Sequence, residues 1–138
     1  MKNVVISRNG PDSLHEEWLT NSDTKNWDLI LLFYDENSFK RCQIREGKSF
    51  YYPGGKWEAY YNFFRDYPDV LNNYDYFWFA DDDISLQGNE INKMFQRMND
   101  YDLDIAQPAM SLESYFSYII TIQCDFLKIR FSNFVEVM

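Results

Sequence analysis

Tyr74-Asp75-Tyr76-Phe77-Trp78-Phe79-Ala80, followed at once by Asp81-Asp82-Asp83, is the stretch on which the fold turns. Its aromatic residues favour a strand, and the abrupt change to aspartates marks the strand's end. Upstream, Trp57, Tyr60, Tyr61, Phe64 and Tyr67 recur at three- and four-residue steps. That spacing predicts a helix beginning after Pro53-Gly54-Gly55, running from Lys56 towards Leu71 and fading near Pro68. Downstream, Ile91, Met94, Phe95 and Met98 predict an amphipathic helix over 88–98.

The same reading extends to both ends of the chain. Asp28–Tyr34 is continuously apolar after its first residue, as a parallel strand covered on both faces requires, and it runs into Asp35. Val4, Val5 and Ile6 give a strand over Asn3–Ser7, closed by Arg8-Asn9-Gly10-Pro11. Asp12 or Ser13 is placed to cap a helix carrying Leu14, Trp18 and Leu19 on one face. Asp104–Gln107 reads as a further short strand, and Tyr115–Gln123 and Phe126–Phe131 as two more, separated by Cys124-Asp125. Strands alternating with helices predict an α/β fold: three layers, a mostly parallel open sheet with helices on both faces. The 138 residues fit one domain, 1–138. The chain stops at Met138 within the apolar run from Phe134, and the expectation is a domain incomplete at its C-terminus.

Composition narrows the function classes. Thirteen Lys and Arg against 22 Asp and Glu give a net charge of −9, which repels a phosphate backbone, so nucleic acid is not an expected partner. Twelve Phe, 11 Tyr and four Trp supply far more core than a disordered chain carries. Tyr118–Ile122 is much too short to span a bilayer. The apolar run at the N-terminus is too brief for a secretory signal, so no transmembrane segment and a cytoplasmic location are expected. Without an export signal, Cys42 and Cys124 read as reduced thiols. A single histidine, His15, read as a helix-surface residue, excludes a His-based zinc site and leaves a Ser-His-Asp site dependent on it alone. Gly55-Lys56 does not belong to a phosphate loop, because Phe50 stands where its first Gly would be and Trp57 where Ser or Thr would follow.

In open α/β sheets ligands gather beyond the carboxyl ends of the strands, where the three aspartates lie. Residues i and i+2 of an extended chain face the same way, so Asp81 and Asp83 are expected to converge while Asp82 turns elsewhere. Converging carboxylates repel unless a cation lies between them, and oxygen ligation suits Mg²⁺ or Mn²⁺. The alternative is a solvated acidic turn capping the next helix. A metal held by few protein ligands bridges to a diphosphate, and Arg8 and Lys56 are the candidate phosphate-side cations, Lys56 standing where a helix N-terminus favours anions. Asp35 is a candidate acceptor for a base or ribose, or a turn residue ending its strand.

Several blocks together carry a family resemblance: Gly54-Gly55-Lys56-Trp57, Phe63-Phe64-Arg65-Asp66, Tyr74 to Phe79 leading into Asp81-Asp82-Asp83-Ile84, Ala106-Gln107-Pro108-Ala109, and Asn133-Phe134-Val135-Glu136-Val137-Met138. From Ile6 to Met138 the chain resembles the family labelled domain of unknown function 707. That family is in turn similar to glycosyltransferases of the GT-A fold, whose nucleotide-sugar site uses a D-x-D motif at a strand end. The resemblance implies that Asp81 and Asp83 bind Mn²⁺ or Mg²⁺, that Asp81, Arg8, Asp35 and Lys56 contact a nucleotide-sugar donor, and that the sugar passes to a carbohydrate or other hydroxyl acceptor. It implies Glu136 as the general base that takes the acceptor's proton. The further metal ligand that GT-A enzymes supply from a later segment, commonly His, has no counterpart here. Two other functions stay open: a haloacid-dehalogenase-like phosphatase built on Asp81-x-Asp83-x-Ser85, and a non-catalytic remnant that binds carbohydrate or protein through exposed aromatics.

Overall fold

The computed structural model describes residues 1–21, 24–42 and 46–132. Among the described residues four strands, β1 (Asn3–Asn9), β2 (Trp27–Phe33), β3 (Lys48–Tyr51) and β4 (Tyr76–Asp81), form one sheet of order β3-β2-β1-β4. Every pairing is parallel. β1 is buried along its whole length and lies between β2 and β4, as its unbroken Val4-Val5-Ile6 run demands.

Alternation along the strands splits the core in two. Val5, Leu29, Leu31, Phe33, Trp78 and Ala80 face one side, where they meet Trp18 of α1 (His15–Trp18), Phe39 of α2 (Glu36–Arg41) and Ile91 and Phe95 of α5 (Gly88–Asp100). Val4, Ile6, Ile30 and Leu32 face the other, beneath Tyr60 and Phe63 of α3 (Lys56–Asp66). The helices switch faces because the chain moves outward from β1 through β2 to β3, then returns across β1 to β4; crossovers of constant hand place α3, the helix of the return crossover, on the face opposite α1 and α2. An α/β fold of three layers, with helices on both faces of a parallel sheet, is therefore what the chain forms.

Several expectations need correction. The helix read from Lys56 to Leu71 stops at Asp66, and a separate turn, α4 (Val70–Asn73), follows Pro68, whose ring cannot continue α3. The first helix shrinks to one turn with no side-chain cap from Asp12 or Ser13. No strand forms over 104–107, 115–123 or 126–131. There, Met110 and Ile122 make one isolated bridge, and Ile119–Thr121 form a single 3-10 turn. Tyr115, Ile119 and Phe126 are almost wholly exposed, so these apolar runs lack the neighbour that would pair their backbone. His15 is buried, at 8% exposure, and not on the helix surface. Cys42 and Cys124 are free thiols. Among the described residues no helix is long and apolar enough to cross a membrane.

Candidate functional site

The strand order reverses between β1 and β4, and at such a switch point the crevice beyond the carboxyl ends is where open α/β sheets take ligands. Arg8 and Asp81 are register partners across that boundary. Both lie in phase with the side chains that face α3: Arg8 with Val4 and Ile6, Asp81 with Phe77 and Phe79.

Arg8 is only 6% exposed. Its Nη1 donates to Leu32 O at 3.0 Å and its Nη2 to Gly54 O at 2.6 Å, while the guanidinium lies 5.2 Å from the centroid of the Tyr34 ring. Among the described residues no carboxylate makes an ion pair with it. Burial lowers its pKa, and the fields of Tyr60, Tyr34, Asp82 and Glu58 oppose that shift.

The contact to Gly54 ties β1 to the loop that launches α3. Gly54 has φ +99°, a conformation that L side chains avoid, and it turns the chain sharply before the helix. Lys56 is the first helical residue, and its ammonium makes an ion pair with Asp81 Oδ1. Arg8, Lys56 and Asp81 are thus brought together, one from each of β1, α3 and β4.

Asp82 turns to the other face, as the alternation predicts. Its Oδ2 accepts from Gly10 N and its carbonyl from Leu14 N, both at 2.7 Å, fastening the loop after β1. Burial raises the Asp82 pKa, with smaller contributions in the same direction from Asp83 and Asp81. Tyr34 lies so close over Gly10 that any Cβ there would strike its ring. Beneath the loop, Asn9, Ser13 and His15 form a buried network: Asn9 Nδ2 donates to Ser13 Oγ at 2.5 Å, and His15 Nδ1 lies 2.8 Å from Ser13 Oγ. Burial lowers the His15 pKa. Sequence reasoning assigned no role to Asp82, Tyr34 or this network. Its only cue was Asp82's place in the triplet, because contacts between residues some 70 positions apart leave no local pattern.

Asp35 caps α2, its Oδ2 accepting from Ser38 N at 2.6 Å and Ser38 Oγ at 2.7 Å, and these hydrogen bonds hold its pKa down. Asp83 is exposed in the turn after β4, so regular strand alternation ends at Asp81. Glu136 lies outside the described residues.

The donors suit a hard dication in kind, since Asp81 and Asp83 offer carboxylate oxygens at the carboxyl end of β4. Among the described residues no three His, Cys, Asp or Glu side chains are gathered to hold a metal. An ion bound to these aspartates would complete its shell with oxygens from outside that set.

The family model described as "Protein of unknown function (DUF707)" matches residues 15–134. Neither a curated protein nor a solved structure matches the chain.

Proposed function

The chain belongs to the DUF707 family, and from that premise we propose that it is a glycosyltransferase-like protein of the GT-A kind, binding a nucleotide sugar at the switch point and passing the sugar to a hydroxyl acceptor. The observation that carries the proposal is the meeting of Arg8, Lys56 and Asp81 at the carboxyl ends of β1 and β4. Two cations, one of them buried, stand beside carboxylates on a protein of net charge −9, and a diphosphate with its divalent ion is the ligand that answers both signs.

Asp81 and Asp83 are the residues that would hold Mn²⁺ or Mg²⁺. When bound there, such an ion withdraws charge from the leaving diphosphate. Arg8, already desolvated and fixed by two carbonyls, presents a planar donor that needs little reorganisation to meet a phosphate oxygen. Lys56 adds a second charge at the start of α3, where helix amides also favour an anion. Asp82 keeps the loop after β1 folded against the site. Glu136 is the carboxylate assigned to accept the acceptor's proton.

Isothermal titration of UDP, GDP and their sugars, with and without Mn²⁺, tests the proposal. The expected result is metal-dependent binding of at least one nucleotide, lost in Asp81→Asn. Binding that ignores both Mn²⁺ and the substitution would refute it.

A further inference from the structure

We infer that Lys56 is a tethered counter-ion which makes divalent-cation binding at Asp81 conditional on an arriving diphosphate. The inference rests on the nucleotide-sugar reading above and adds an order of binding to it. Its observation is the ion pair itself: the Lys56 ammonium lies on the Asp81 carboxylate that the dication would need.

The ammonium is at an electrostatically awkward address. Lys56 opens an 11-residue helix, whose N-terminal dipole repels a cation, and the Arg8 guanidinium binds the carbonyl of Gly54 two residues earlier. Asp81 offsets that repulsion, and in exchange one carboxylate of the metal site is already neutralised. The pair is half-exposed, with side-chain exposures of 23% for Lys56 and 41% for Asp81, so its partners can separate without unpacking the core.

Without a phosphate, a dication must displace the ammonium and then find most of its shell elsewhere, because among the described residues no three ligating side chains are gathered. A diphosphate changes both terms. Its oxygens give the ammonium an alternative partner beside Arg8 and the first amides of α3, and they supply the dication with ligands. Each ligand then raises the affinity for the other by the same factor, as linkage requires.

The experiment measures Mn²⁺ binding to the full chain by the electron paramagnetic resonance of free Mn²⁺, with and without UDP, after correcting for the Mn²⁺–UDP complex alone. Wild type is expected to bind Mn²⁺ weakly by itself and at least about tenfold more tightly with UDP. Lys56→Met is expected to bind Mn²⁺ about tenfold more tightly than wild type in the absence of UDP, from removal of one adjacent positive charge. Its gain on adding UDP should shrink several-fold. Lys56→Arg should retain the wild-type coupling. Lys48→Met, which removes an exposed charge from β3, should change Mn²⁺ affinity less than about twofold. Circular dichroism confirms that each variant is folded.

If UDP binding is metal-dependent but Lys56→Met matches wild type without UDP, the counter-ion role is overturned and the nucleotide-sugar reading stands. An equal effect from Lys48→Met would also overturn it, since bulk charge would then suffice. If neither wild type nor Lys56→Met binds Mn²⁺ with or without UDP, both fall together.

Discussion

Replacing Arg8 by Met separates an arginine that holds the fold from one that awaits an anion. Arg8 is 6% exposed, and its guanidinium makes two hydrogen bonds to backbone carbonyls. Charge-assisted bonds of this kind contribute about 1.5–3 kcal/mol each, so the gross loss is about 3–6 kcal/mol. Against it stands the desolvation of a buried ion, on the order of several kcal/mol, which Met does not incur. Met also keeps much of the side chain's apolar length over Tyr34. The terms largely cancel, leaving a net destabilisation of about 1–2 kcal/mol. For a domain of this size that is a fall in Tm of roughly 3–10 °C, measured by circular dichroism.

Anion binding has no such compensation. Loss of one charge-assisted bond to a phosphate oxygen lowers affinity by roughly 10- to 100-fold, to be read from UDP titration in Mn²⁺. Arg8→Lys retains the charge but cannot bridge Leu32 O and Gly54 O together, so it should recover only part of that affinity. A folded Arg8→Met protein that binds UDP within about twofold of wild type would refute the reasoning, because the buried charge would then serve the loop alone.

Three further outcomes follow from the geometry. Phe63 is fully buried among the rings of Phe50, Tyr52, Phe64 and Tyr67, and Phe63→Ala should cost about 3–5 kcal/mol in urea unfolding; a loss under about 1 kcal/mol would mean that α3 is not anchored there. Burial lowers the His15 pKa from 6.5, so the unfolded chain binds its proton first, and His15 stabilises fully above pH 6.5 and loses that contribution as pH falls towards the depressed folded value. The fall in Tm from pH 8 to 5 should be shallower in His15→Gln, and equal slopes would contradict it. Asp82 has the opposite sign, its pKa raised by burial from 3.8, so its ionisation erodes stability as pH rises above that value. Asp82→Asn, which still offers an oxygen to Gly10 N, should lose less Tm between pH 4 and 7 than wild type does.

The parts of the fold legible in the sequence are those where one physical demand dominates. β1 and β2 are buried on both faces and therefore carry unbroken apolar runs, and β4 announces itself through packed aromatics. α5 buries Ile91 and Phe95 at helical spacing. β3 escaped because Lys48-Ser49-Phe50-Tyr51 is a short edge strand with half-exposed residues, and α2 because none of its residues is buried. The opposite error arose after residue 100. Tyr115–Gln123 has the composition of a strand, but a strand also requires a partner for its amides and carbonyls, and composition does not encode one.

The site was legible to the same degree and for the same reason. That Asp81 ends β4 and Arg8 nearly ends β1 could be read from apolar runs giving way to charge. That the two stand side by side is a fact of register, set by the parallel pairing of strands some 70 residues apart. Register also decides the split of the aspartates: once Phe77 and Phe79 face α3, Asp81 must share their side with Lys56, and Asp82 must cross to Gly10. Strand alternation therefore holds up to Asp81 and no longer governs Asp83, where pairing has ended and a turn sets the direction. Spacing along the chain nominated Lys56 as a cation at a helix N-terminus, but not as the partner of Asp81. Lys56 comes from α3, a layer away from the strand it serves, and reaches Asp81 because the return crossover to β4 lays the start of that helix over the switch point.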